Sequence, residues 1–216
     1  MDVHLYYITD RTQLRSQSLD ACIRRTIAAG VDWVQIREKD LPARGLLGHA
    51  QAAVEQAQAQ PRRARVIIND RMDVALAAKA DGVHLGTSSM PAETARRLSP
   101  RGFLIGVSCH SLAEAVAAEA AGANYLLFGP IFETPSKLPY GPPLGIDKLR
   151  EATSRVGIPV FALGGINAVR VRVCLENGAA GIAGIRLFQD CQSVEELVRK
   201  LREKQGGSRT TPTVSL

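Results

Sequence analysis

The chain has no stretch approaching the roughly 20 unbroken apolar residues of a membrane helix, so no membrane role is expected. Aromatic residues are scarce at 5%, which leaves little to stack bases on. An excess of one charge is also largely missing. The net +6 is concentrated at one end, where Arg199, Lys200, Arg202, Lys204 and Arg209, offset by Glu203, place +4 in the last 18 residues and leave the body near +2. That balance sets up no field strong enough to argue for nucleic acid. The four cysteines, Cys22, Cys109, Cys174 and Cys191, are spaced by 87, 65 and 17 residues, with no C-x-x-C pair and no histidine cluster nearby. Zinc and a disulfide framework are therefore not indicated, and the cysteines read as small buried hydrophobes. The opening MDVHLYYITDR carries an acid where a secretory signal has basic residues, so a cytoplasmic protein is expected.

What is present is globular: 45% hydrophobic and 22% charged over 216 residues, enough chain for one domain with a sizeable core. Eight short apolar runs, at 4–8, 33–37, 65–69, 82–86, 103–108, 125–129, 159–165 and 181–186, read as strands. Between and after them, segments at 17–29, 42–59, 72–79, 91–98, 111–121, 146–155, 167–177 and 193–204 carry helical periodicity. Ser193 followed by Glu196 has the order of a capping box.

Four related tetrapeptides, AGVD (29–32), ADGV (80–83), AGAN (121–124) and NGAA (177–180), each close a helix just before a strand, at intervals that each hold two β/α units. Eight such units predict a single α/β domain, a (β/α)₈ TIM barrel over 1–204; an open doubly wound sheet is the other arrangement this alternation permits. The segment 205–216 carries turn formers without apolar period and is expected to be a disordered tail.

Barrels of this kind do chemistry where strands end, and the strand ends here are polar. Alternation in Gln35-Ile36-Arg37-Glu38-Lys39 sends Gln35, Arg37 and Lys39 to one side and Ile36 to the other. Asn69-Asp70 offers a hard oxygen donor of the kind that anchors a Mg²⁺ held mainly by substrate phosphate, although Asp70 could equally cap the helix that follows. Strand five ends at Ser108, and a long loop from Gly129 through Pro143 contributes Thr134, Ser136 and Lys137. Gly164-Gly165 and Gly184-Ile185-Arg186 end the last two strands, where barrels commonly bind phosphate. The inventory describes two anion zones: a metal-bound diphosphate near Arg37, Lys39, Asp70 and Lys137, and a monophosphate near Gly165 and the end of strand eight. No Ser-His-Asp order, paired carboxylates or dinucleotide fingerprint competes, and His84, flanked by Val83 and Leu85, reads as a satisfied interior histidine.

Taken together, YYITDR (6–11), QIREK (35–39), IND (68–70), ADGVHLG (80–86), IGVSCHS (105–111), GPIFETPSK (129–137), ALGGI (162–166) and GIAGI (181–185) resemble the thiamine phosphate synthase family, which includes a thiazole tautomerase branch. The resemblance implies a Mg²⁺-dependent transferase that joins hydroxymethylpyrimidine diphosphate to hydroxyethylthiazole phosphate, releasing pyrophosphate. It places Gln35, Ile36, Arg37, Glu38, Lys39, Asn69, Ser108 and Lys137 at the pyrimidine diphosphate, with Arg37, Lys39, Ser108 and Lys137 catalytic. It places Asp70 on the metal, and Thr134, Ser136, Gly165 and Ile185 at the thiazole phosphate.

Two positions depart from the family pattern. Ser89 stands where a second magnesium carboxylate is expected, and Arg186 where the thiazole phosphate meets a serine. The tautomerase branch has a histidine where this chain has Pro130, and a phosphate-binding barrel without catalysis is a third reading. The implied partners are the two small phosphorylated substrates, with a homo-oligomer left open.

Overall fold

The structure is a computed structural model that describes residues 3–14, 17–134 and 142–203. Eight parallel strands close on themselves in sequence order, β1 (His4–Ile8), β2 (Trp33–Ile36), β3 (Arg65–Asn69), β4 (Gly82–Leu85), β5 (Leu104–Cys109), β6 (Tyr125–Phe128), β7 (Val160–Leu163) and β8 (Gly181–Gly184). Pairing of β1 with β8, Leu5 opposite Ile182, makes the closure and excludes the open sheet. The helices are α1 (Leu19–Ala28), α2 (Ala43–Gln58), α3 (Met72–Ala77), α4 (Ala92–Leu98), α5 (Leu112–Ala120), α6 (Gly145–Arg155), α7 (Arg170–Glu176), α8 (Arg186–Gln189) and α9 (Val194–Glu203). Among the described residues no helix is long and apolar enough to cross a membrane. The tail expected over 205–216 lies outside the described residues.

The apolar side chains split into two bodies because strand residues alternate between two faces. Leu5, Tyr7, Val34, Ile36, Val66 and Ile68 pack outward against the helices, while Tyr6, Ile8, Trp33, Ile67, Leu104, Tyr125, Leu127, Phe161 and Ala183 fill the barrel. Four aromatics cluster there: Trp33 and Tyr125 rings lie 4.9 Å apart, and Tyr6 and Phe161 meet edge-on at 5.4 Å.

The repeated tetrapeptides acquire a physical role in the structure. The residue just before each of β2, β4 and β6 turns its side chain to the start of the preceding strand: Asp32 accepts from Leu5 N–H (2.8 Å), Asp81 from Val66 N–H (2.8 Å) and Asn124 from Ile105 N–H (2.9 Å). An arginine braces each one, Arg62, Arg63 and Arg96 respectively. Ala180 holds the equivalent place before β8 and cannot make the bond. At ADGV the left-handed residue is Lys79 (φ 54°), just ahead of the tetrapeptide, and Gly82 is needed instead inside β4, where a Cβ would lie 2.2 Å from Leu104 O.

Two local expectations are corrected. Glu196 does not complete the capping box: Ser193 Oγ accepts from Glu196 N–H (3.1 Å), but the Glu196 carboxylate pairs with Lys200 (2.6 Å). Strand eight stops at Gly184, and Arg186 opens the short helix α8, with Ile185 carbonyl accepting from Phe188 and Gln189.

Candidate active site

Because every strand of a closed parallel barrel runs the same way, the residues that follow the strands share one rim. Gln35, on β2, faces the barrel interior and is 1% exposed; its Nε2 donates to Asn69 Oδ1 (3.0 Å) across the β2–β3 pair. Its Oε1 is buried with no hydrogen-bond partner among the described residues. A buried unpaired acceptor is costly, and at a rim it is a place for a ligand N–H.

The next four residues divide by face. Arg37 is half-buried and Lys39 exposed, both on the parity of Gln35. Ile36 and Glu38 turn the other way. Ile36 lies in the layer between sheet and helices. The Glu38 carboxylate is buried and fully engaged at the end of β1, accepting from Thr9 Oγ1 (2.6 Å) and from Arg11 N–H (3.2 and 3.0 Å). Thr9 Oγ1 in turn accepts from Arg37 N–H (2.9 Å). The side chains of Ile36 and Glu38, assigned to substrate by resemblance, are therefore turned into the scaffold, and Glu38 ties YYITDR to QIREK.

Asp70 is exposed and sits in the left-handed region (φ 65°), where its N–H donates to His84 O (2.8 Å). It does not cap α3: the N-cap residue is Arg71, and no side chain makes the cap bond. The Asp70 carboxylate has no hydrogen bond among the described residues. Ser89 closes a tight turn after β4, its Oγ accepting from Gly86 N–H (2.8 Å) while its own N–H reaches Gly86 O (3.1 Å). Among the described residues no three His, Cys, Asp or Glu side chains cluster as a metal nest.

Ser108 is half-buried at the end of β5, its Oγ 2.8 Å from His84 Nε2. His84 is 2% exposed, as its apolar neighbours predicted, and burial, with Arg37 adding to it, pushes its pKa down to about 3. On the far side, Gly164 (φ 94°) and Gly165 (φ 63°) bend the chain against the β6 loop so tightly that a Cβ on Gly165 would meet Glu133 O at 2.6 Å. Thr134 is buried and within 3.4 Å of the Arg186 guanidinium, and Ile185 leans on the aromatic interior. Ser136 and Lys137 lie outside the described residues.

One contributor was not visible in the sequence. Arg170, at the start of α7, donates to Gly165 O (2.7 Å) and stacks over Phe132 at 4.6 Å, bracing both walls of the glycine bend. No motif marks it; only the fold brings residue 170 to 132.

A barrel with Arg37, Lys39 and Arg186 following its strands, a buried amide pair and glycine bends at one rim has the features of the phosphate-handling (β/α)₈ class. Residues 5–188 match the family model described as thiamine monophosphate synthase. The chain is 43% identical over 202 residues to the thiamine-phosphate synthase of Methanocella arvoryzae, covering 94% of each, and 38% identical over 216 residues to that of Clostridium novyi, covering 99% of this chain and all of the relative. The thiamine phosphate pyrophosphorylase structure from Pyrococcus furiosus superposes with a TM-score of 0.83 at 35% identity, covering 93% of this chain and 94% of that one. The chain belongs to the thiamine monophosphate synthase family.

Proposed function

We propose that this barrel is a transferase that joins hydroxymethylpyrimidine diphosphate and hydroxyethylthiazole phosphate to give thiamine phosphate and pyrophosphate, acting in the cytoplasm. The observation that carries the reading is the buried Gln35–Asn69 pair with its unpartnered acceptor, set beside Arg37 and Lys39 on one rim in a chain of this family. Gln35 Oε1 accepts from the amino group of the pyrimidine. Arg37 and Lys39 hold the diphosphate and stabilise the negative charge that grows on it as its bond to the pyrimidine methylene carbon breaks. The aminopyrimidine delocalises the resulting cation until the thiazole nitrogen attacks that carbon. Gly165, Thr134 and Arg186 receive the thiazole phosphate, with a guanidinium replacing the family's hydroxyl.

Asp70 suits a single hard cation carried in largely by the diphosphate, because its carboxylate is exposed and makes no hydrogen bond among the described residues; Ser89 Oγ has a lone pair beyond its bond to Gly86. Mg²⁺ bound there would supply Lewis-acid stabilisation of the leaving group. Pro130, which has no proton to move, gives the tautomerase reading no support.

The test is incubation with both phosphorylated substrates and Mg²⁺, with thiamine phosphate and pyrophosphate measured. Formation of both, abolished by chelation and restored by Mg²⁺, is expected. No product at any Mg²⁺ concentration would overturn the reading in favour of a phosphate-binding barrel.

A further inference from the structure

Four polar side chains from four strands form a continuous line through a largely apolar interior. Tyr6 OH (β1) lies 2.8 Å from Tyr125 OH (β6), Tyr125 OH 3.3 Å from His84 Nδ1 (β4), and His84 Nε2 2.8 Å from Ser108 Oγ (β5). The first three are at most 2% exposed, while Ser108 is half-buried at the rim. His84 touches no carboxylate in this line and its ring is buried, so it is neutral, with one nitrogen donating and the other accepting.

Two directions are then available, and they differ only at the ends. If Ser108 donates to His84 Nε2, then His84 Nδ1–H donates to Tyr125, and whichever tyrosine donates to the other, one buried hydroxyl hydrogen has nowhere to go. Tyr6 OH has no other hydrogen-bond partner among the described residues, and Trp33 and Phe161 rings stand 5.5 and 5.4 Å from its own ring. In the reverse direction Tyr6 donates to Tyr125, Tyr125 to Nδ1 and Nε2–H to Ser108, so every buried hydrogen is used. The hydrogen left over is that of the Ser108 hydroxyl, at the rim.

We infer that Tyr6, Tyr125 and His84 are positioning residues: they form a one-way hydrogen-bond chain that holds the His84 proton on Nε2 and commits Ser108 as a hydrogen-bond donor to an anionic oxygen of the substrate. The identity of that oxygen, on the diphosphate, rests on the function proposed above; the direction of the chain does not.

The direct test is the tautomer of His84 in the full-length protein labelled with ¹⁵N-histidine, read from two-bond ¹H–¹⁵N correlations that distinguish protonated from bare ring nitrogens. Single replacement of His4, His49 and His110, none of which is in the chain, leaves the His84 signals assigned. A proton on Nε2 is expected; a proton on Nδ1 overturns the inference, whether or not the protein is active. The kinetic arm is a cycle of Tyr125→Phe, which keeps the ring, with Ser108→Ala. Tyr125→Phe is expected to lower kcat severalfold in the wild-type background and to have no further effect once Ser108 is alanine. Effects that multiply would show that Tyr125 does not act through Ser108. If no variant, nor the wild type, forms thiamine phosphate, the proposed function fails while the tautomer still decides the chain's direction.

Discussion

Replacing Gly106 by alanine tests how rigidly the barrel interior is packed. Gly106 lies in β5 on the parity of Ser108, directly beneath Tyr125. A Cβ there would stand 2.1 Å from Tyr125 Cζ and 2.3 Å from its hydroxyl; ordinary contact begins at 3.4 Å, so the ring must retreat by about 1.3 Å. It has no room to do so, with Trp33 at 4.9 Å, Phe161 at 5.7 Å, and Tyr6 and His84 at 5.8 Å between ring centroids. Overpacking of this kind costs about 1–3 kcal/mol. Displacing the hydroxyl also breaks its bonds to Tyr6 and His84, at about 1 kcal/mol each, for a total of about 3–5 kcal/mol.

Gly48→Ala in α2 is the control, since nothing lies within 4 Å of its Cβ position; there alanine should stabilise by about 1 kcal/mol. Urea unfolding followed by fluorescence of the single tryptophan, Trp33, reads both variants. Tyr125→Leu should relieve much of the Gly106→Ala cost, whereas Tyr125→Phe should not, because the closest atom is a ring carbon. A Gly106→Ala protein within about 1 kcal/mol of wild type would refute the packing argument.

Arg37→Ala is expected to reduce the rate of thiamine phosphate formation by about a hundredfold, and Lys39→Ala, on an exposed side chain, to reduce it with no change in melting temperature; full activity in either would make that cation a bystander. Ser89→Asp should lower the Mg²⁺ concentration for half-maximal rate, by adding an anionic oxygen that can still accept from Gly86 N–H; an unchanged or rightward-shifted titration would count against Ser89 as the missing ligand. Glu38→Gln should destabilise the fold by about 1–3 kcal/mol in thermal or urea melts, because it replaces a buried carboxylate that accepts from Thr9 and Arg11. Burial pushes the Cys109 thiol up to about 12 and Cys174 up to about 11, so neither should react with a thiol reagent even at pH 9, and both should do so on unfolding. Rapid native labelling of either, mapped by mass spectrometry, would contradict their placement.

Alternation of apolar runs with helical stretches is a local property, and it was enough to place eight strands and to order them around a barrel. Parallel strands then oblige Gln35, Arg37, Asp70, Ser108 and Gly165 to share a rim whatever the details of packing, so the polar strand ends were legible without coordinates. Period-two reading also sorted Gln35 and Arg37 from Ile36 correctly. It could not say where a buried polar side chain finds its partner. Glu38 reaches Thr9 across 29 residues, Arg170 reaches Phe132 across a strand, and the line from Tyr6 to Ser108 draws on four strands. Those pairings depend on barrel closure and strand stagger, which set which interior side chains stand at the same height. Sequence alone therefore determined which residues reach the rim, and tertiary structure decided which of them remain free to meet a ligand, because hydrogen-bond satisfaction is settled between strands.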